Sequence, residues 1–405
     1  MFALLLLAFS TLGAGQSGTL TTGLQALDRG DYKQAEQIFS AEAARDPHDY
    51  AAWFNLALAE IGLKENQLAE QHLQQVLALK PGLYEAELNL GMLYLKEKRP
   101  ADAEPLLEQA AKAKPDSARA RRYWGESLAA MGKWDQAAEA FRQTLALDPH
   151  MAVAELGLGQ ALERQGKLDE AAPHYERAAE LDSKLSSYQL ELAEAYIKAN
   201  RGSEALPILK KFPDDAGARE ESGRIYLAEN QPAAAVAEFE AAVKLSPTAA
   251  NRLALATAYL KNNQPELAEP ILKQALETNP ADYDVLMAVG RIRRDKHDYA
   301  AAATQFAAAA KLQPASVEAW NEAAGAYMLA GKYPEALSAL DQVRALHGEK
   351  PGDFYLRAVI FDRLHQVKPA LANYQRFLEL SQGQYPDEEF IARQRSRILK
   401  EEASR

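Results

Sequence analysis

The sequence predicts an all-α protein built as an α-solenoid of antiparallel helix pairs, and three observations carry that reading. The chain restarts nearly the same pattern about every thirty-four residues, with segments opening at residues 16, 50, 84, 118, 152, 186, 216, 249, 283, 317 and 351. Alanine stands at the twentieth place of every segment, from Ala35 to Ala370. Two fixed places in each segment collect residues that end helices, so a segment reads as two helices and two turns. A period in this range marks a stack in which each unit buries its apolar face only against its neighbours.

The chain opens on an apolar stretch, Met1–Phe9, followed by Gly13, Ala14 and Gly15 ahead of Gln16. This arrangement is similar to a secretory leader over residues 1–15, except that the basic stretch that usually opens one is missing. The expected location is therefore periplasmic or secreted, or cytoplasmic if the first helix is retained and caps the array. No other stretch approaches the length needed to span a bilayer.

Within each segment the first helix has a small residue at its eighth place, among them Gly23, Ala57, Gly91, Gly125 and Gly290. The second helix has alanine at the twentieth place and a large apolar residue at the twenty-fourth, such as Phe39, Leu73, Leu107, Phe141 and Phe306. Small residues let two helix backbones approach, and the large one fills the adjoining hole. The turn between the helices falls at the fifteenth place. It holds Gly30, Gly132, Gly166, Gly331, Asn200, Asn230, Asn263, His297 and His365, all tolerant of left-handed backbone. Lys64 and Lys98 occupy the same place in two segments and predict strain or a different turn there.

Proline marks the second turn: Pro47, Pro81, Pro115, Pro149, Pro247, Pro280 and Pro314 all take the thirty-second place. Pro105, Pro173, Pro207 and Pro270 take the twenty-second, early in the second helix, where a missing N–H is expected to go unmissed. The segment over residues 186–215 is four residues short, and the run Lys210–Ala218 is expected to shorten its second helix. That irregularity suggests a joint, either a change of direction near Pro213 or plain drift in loop length. It divides the chain into six repeats over 16–215 and five over 216–382. Residues 383–405 remain as a capping helix and tail, with Ile391 and Ile398 expected on its buried stripe.

Trp53, Leu56, Ala57, Ala69, Leu73 and Pro81 in one segment, and Leu90, Gly91, Tyr94, Ala103, Leu107, Ala110 and Pro115 in another, resemble the tetratricopeptide repeat. The resemblance covers about residues 16–382, and eleven copies agree. It implies a right-handed superhelix with first helices lining a concave groove, and a role in binding proteins or peptides. It also implies that Trp53, Trp124 and Trp320 are packing residues. Trp134 falls in a turn and is expected to be half exposed.

The function classes narrow accordingly. Formal net charge is −11 over 405 residues, so the basic field that nucleic acids require is missing. The sequence has no cysteine, which removes disulfides, thiolate metal sites and thiol nucleophiles. The seven histidines make no metal-ligand spacing, and no phosphate loop or nucleophile elbow appears. No catalytic residue, cofactor or metal is therefore expected, although a paired-carboxylate site escapes sequence inspection.

By the register of the resemblance, places two, five, six, nine and thirteen of each first helix face the groove. In the early repeats these hold Phe54, Asn55, Leu58, Leu88, Asn89 and Met92, an apolar track flanked by amides that suits a peptide. The alternative is packing between successive first helices. Arg119, Arg122, Tyr123 and Arg164 follow, then Arg224, Arg291 and Arg294, a basic and aromatic set that suits carboxylates on a partner. The alternative there is neutralisation by nearby acids such as Glu126 and Asp295. The lysine and asparagine pair with which some family members clamp a terminal carboxylate is replaced by Leu20 and Leu24, then Phe54 and Leu58. The expected function is a protein-binding scaffold. A second reading is a periplasmic part of a polysaccharide or protein export machine, in a membrane-associated complex.

Overall fold

The structure, a computed structural model, describes residues 16–347 and 350–404. The leader expected over residues 1–15 lies outside the described residues. Among those described there are 23 α-helices, one short 3-10 helix and no strand. The chain divides into two compact units, one ending at Ile208 and the other beginning at Leu209.

In the first unit the helix pairs run Gln16–Arg29 with Tyr32–Arg45, Tyr50–Leu63 with Asn66–Leu79, and Tyr84–Lys96 with Pro100–Ala113. They continue with Ala118–Ala130 and Trp134–Leu147, then Ala152–Arg164 and Leu168–Leu181. The sixth repeat opens on the 3-10 turn Ser183–Tyr188, and its second helix, Gly202–Leu209, has only 8 residues. The second unit holds five further pairs, from Ala216–Ala228 with Pro232–Leu245 to Pro351–Arg363 with Val367–Ser381, and closes on Pro386–Ala403. Within each unit a helix packs on the helices before and after it in sequence, as a solenoid requires.

The seam inside each pair is the one the sequence predicts. All eleven alanines of the twentieth place are fully buried. Every residue of the twenty-fourth place is at most 4% exposed. The eighth place meets it directly. A Cβ added to Gly91 would lie 2.5 Å from Leu107 Cγ, and one added to Gly290 would lie 2.5 Å from Phe306 Cε1. Gly23, Gly125, Gly159 and Gly223 face Phe39, Phe141, Tyr175 and Phe239 in the same way. Where the eighth place is alanine, the facing residue is leucine in four repeats of five, as in Ala57 with Leu73 and Ala256 with Leu272. An aromatic ring fills the volume of a Cβ, so the two places vary together.

The fifteenth place is left-handed in all eleven repeats, and the two lysines are no exception: φ is +67° at Lys64 and +60° at Lys98. The different turn expected there does not form. Lys98 N donates to Leu95 O at 3.0 Å and Arg99 N to Tyr94 O at 2.8 Å, the same paired bonds that Gly132 and Lys133 make to Ala129 O and Leu128 O. These bonds satisfy the last carbonyls of the first helix.

The inner prolines need a correction. Pro105 is the sixth residue of its helix, as are Pro173, Pro207 and Pro270 of theirs. An N–H there would have bonded four residues back, so the carbonyls of Ala101, Asp169, Ser203 and Glu266 lose their usual helical donor. Pro100, Pro232, Pro265, Pro351 and Pro386, at the first helical position, cost no bond.

Successive repeats are joined by a latch. Trp53 Nε1 donates to Pro47 O and Trp320 Nε1 to Pro314 O, each at 3.0 Å. Arg121 Nε reaches Pro115 O at 3.1 Å, and Arg219 Nε reaches Pro213 O at 3.0 Å. The two tryptophans are thus half-buried hydrogen-bond donors as well as packing residues. Pro213 serves as the turn proline of the short repeat.

The last helix buries a different stripe from the one expected. Glu389, Ala392, Ser396 and Leu399 face the preceding helix, whereas Ile391 and Ile398 are 46% and 44% exposed. Small residues allow the closing helix to sit close on Phe377 and Tyr374. Of its larger apolar residues Leu399 is buried with them, whereas Phe390, Ile391 and Ile398 face away.

Candidate functional site

The six residues of the early track are not displayed. Phe54, Asn55, Leu58 and Leu88 are fully buried, and Asn89 and Met92 are 2% exposed. Asn55 Nδ2 donates to Ala51 O at 3.0 Å and Asn89 Nδ2 to Glu85 O at 2.7 Å, so the amides grip their own helices. The packing alternative describes them, and the track offers a partner no free surface.

The later arginines of the second unit are neutralised. Arg224 pairs with Glu220 and Glu221, and Arg291 pairs with Glu318 at 2.5 Å. Arg294 pairs with Glu322 at 2.6 Å and Asp295 at 3.3 Å. Each sits where a carboxylate from its own helix or the next first helix can reach it, which in an acidic protein is the default.

The fourth and fifth repeats differ. Arg122 lies over the Tyr123 ring, its guanidinium carbon 3.7 Å from the centroid, and pairs with Glu126. Burial raises the Glu126 carboxyl above the usual range, and Arg122 partly offsets that rise. Arg119 reaches Met92 Sδ at 3.5 Å and lies 5.9 Å from the same Tyr123 ring. The phenol and two guanidiniums form a half-exposed cation–π platform on the helix Ala118–Ala130.

Arg164 belongs to a second feature in these repeats. The turns after Ala130 and after Arg164 lie side by side around a concavity of about 720 Å³. Its lining includes Lys133, Trp134, Asp135, Arg164, Gln165 and Lys167. Trp134 is the first residue of its helix and is half-buried, near the exposure expected of it. Gln165 Nε2 donates to Trp134 O at 3.1 Å, and the Arg164 guanidinium lies 5.9 Å from the indole. The sequence reading missed this pocket because Lys133 and Lys167 stand at the sixteenth place, outside the places assigned to the groove. The available signal was the nineteenth place, where Gln136 replaces the acid found beside Arg99 and Arg201.

Among the described residues no group of histidines and carboxylates could hold a metal ion. His72 Nδ1 lies 2.8 Å from Glu60 Oε2 and His174 Nδ1 lies 2.6 Å from Glu155 Oε2, each within a single repeat. No described helix is long and apolar enough to cross a membrane.

No curated protein matches this chain. Among solved structures, MamA from MSR-1 is 24% identical, with 42% of this chain and 99% of that one covered, at a TM-score of 0.39. MamA from AMB-1 is 26% identical, covering 41% and 99%, at 0.39. MamA 41-end from Desulfovibrio magneticus RS-1 is 25% identical, covering 43% and 98%, at 0.40. Two tetratricopeptide repeat family models match in alternation, one over residues 20–84, 123–186 and 290–353 and the other over 64–122, 162–221 and 226–292. With matches along almost all of its repeats, the chain belongs to the tetratricopeptide repeat family.

Proposed function

We propose that this protein is a non-enzymatic scaffold, exported to the periplasm, that captures partner proteins through its fourth and fifth repeats. Family membership supports protein binding as the general role. The observation that carries the narrower reading is the contrast between arginines. Arg224, Arg291 and Arg294 are matched by acids, whereas Arg164 in the fifth repeat makes no ion pair and lies near Trp134 beside a concavity, with Arg119 and Arg122 close to the Tyr123 ring in the fourth. Export is supported by the apolar opening of the sequence and its small residues before Gln16.

Site-specific photo-crosslinking tests the binding face. A crosslinker placed at Tyr123 or Arg164 is expected to trap a partner in cells, and one at Arg291 is not. Equal trapping at all three, or at Arg291 alone, sinks the assignment. N-terminal sequencing of the protein from a periplasmic fraction tests the location. A start near Gln16 is expected, and a cytoplasmic protein retaining Met1 refutes export.

A further inference from the structure

We propose that the concavity between the turns of the fourth and fifth repeats binds an acidic segment of a partner protein. A carboxylate would sit among Lys133, Arg164 and Lys167, and a neighbouring apolar side chain would rest on the Trp134 indole. The inference rests on the scaffold reading and names the chemistry of its partner.

The charge argument comes from comparing equivalent turns. The sixteenth place is a cation in four consecutive repeats: Arg99, Lys133, Lys167 and Arg201. The outer two are fully engaged. Arg99 bonds Glu70 at 2.9 Å and Asp102 at 2.8 Å and lies over the Tyr94 ring. Arg201 bonds Asp169 at 2.7 Å and Glu204 at 2.8 Å and lies over the Tyr196 ring. The inner two differ: Lys167 keeps an acid three residues on, Glu170, and one in the preceding repeat, Asp135, yet pairs with neither, and at Lys133 the acid itself is changed. Beside Lys133, the acid three residues on is replaced by Gln136, and the acid of the preceding repeat, Glu104, accepts from Trp124 Nε1 instead. Among the described residues, Lys133, Arg164 and Lys167 make no ion pair. In a chain of net charge −11, three cations without an ion pair around one concavity make a local positive patch.

The rest of the lining suits a peptide. Asp135 is the one carboxylate in it, so the concavity keeps a net positive balance. Lys133 caps the helix Trp134–Leu147 without a side-chain bond, so the helix opens on unsatisfied amides that add to the positive field. Trp134 gives a flat apolar face beside the Arg164 guanidinium, and the Gln165 bond to its main-chain carbonyl ties the two turns together. A volume of about 720 Å³ accepts a few side chains rather than a folded domain. The pocket is also distinct from the fifth and ninth places, which hold Leu20, Leu24, Phe54 and Leu58 in the first two repeats and Arg122 and Glu126 in the fourth.

The test uses the full chain and fluorescence anisotropy. The probe is a fluorescein-labelled decapeptide, Glu-Glu-Leu-Glu-Asp repeated twice, with a Gln/Asn counterpart of the same length. The acidic peptide is expected to bind, to weaken with added salt, and to bind at least tenfold more weakly to the double variant Arg164→Glu, Lys167→Glu. Both substituted side chains are exposed, so the melting temperature should hold. Trp134→Phe, which keeps a ring of smaller area, should weaken binding by a few-fold. Absence of binding, equal binding by the double variant, or equal binding of the Gln/Asn peptide each overturns the proposal. If crosslinking from Tyr123 still traps a partner in that event, the scaffold reading stands and only this pocket falls. If neither experiment gives a signal, both fall.

Discussion

Lys64 and Lys98 hold backbone angles that a side chain with a Cβ adopts only at a penalty of about 1–2 kcal/mol. They do so because the turn is set by the bonds of the residues around it, and any residue at that place must comply. Lys98→Gly is therefore expected to stabilise the protein by about 1 kcal/mol, read as a higher urea midpoint with unchanged slope. An unchanged midpoint would mean that the lysine stem recovers the strain through contacts of its own. Glu87 is a second residue held against its preference. It is 3% exposed, its Oε2 has no partner, and burial raises its carboxyl above the ordinary value. A raised folded-state value means that the folded protein binds the proton more tightly than the unfolded chain does. The group therefore opposes folding above that value, and its penalty fades as pH falls through it. Glu87→Gln should be more stable than the parent at pH 7, with the gap closing toward pH 4.5 in paired denaturation curves. A gap independent of pH would assign the effect to packing. The left-handed glycines, asparagines and histidines were legible in the sequence because few residue types tolerate that backbone. The orphaned carboxylate was not, because its burial depends on neighbours brought up from elsewhere.

A helix pair in this fold is specified by two places that answer each other. Glycine at the eighth place accompanies an aromatic ring at the twenty-fourth in five repeats of six, and alanine accompanies leucine in four of five. The exceptions are Gly91 with Leu107 and Ala358 with Tyr374. In the second, Tyr374 is still fully buried and its hydroxyl reaches Asp362 at 3.3 Å. Gly290→Ala alone should cost about 1–3 kcal/mol, because the new methyl meets the Phe306 ring. Adding Phe306→Leu should recover part of that loss by recreating the pairing of Ala256 with Leu272. A double-mutant cycle measures the coupling, and strict additivity would refute the account. The same reasoning explains why the closing helix was misread. Ile391 and Ile398 advertise a buried stripe, but the preceding helix presents the bulky Phe377 and Tyr374, so the small face of Ala392 and Ser396 is the one that fits. Composition reveals that a helix is amphipathic. Which face turns inward depends on what it meets, and for the early track of Phe54 and Leu88 it likewise decided between a displayed groove and a packed interior.

Across the whole molecule, continuity rests on contacts that pass from one repeat to the next. The latch from the fourth place to the preceding turn proline is made by tryptophan twice and arginine twice, so no conserved letter announces it within the chain. What the four share is an N–H at the end of a long side chain, which is why the pattern emerged only in three dimensions. Trp320→Phe keeps the ring and loses the donor, and should cost about 1 kcal/mol of unfolding free energy, read from the denaturant midpoint. No change would show that water replaces the indole at the Pro314 carbonyl. The solenoid, its helix pairs and both turn types were readable from spacing alone, because each unit repeats the same local problem. The binding region was readable only in part: Arg164 was in view, and its companions at the sixteenth place were hidden by an assumed register. The sixth repeat has a further consequence for anyone modifying this chain. Its second helix stops at Leu209, yet Arg219 still reaches Pro213, so the four absent residues were taken from a dispensable stretch and the coupling after it was spared. An inserted epitope or fluorescent reporter would therefore find its most forgiving position just after Leu209, and its least forgiving between Pro213 and Arg219.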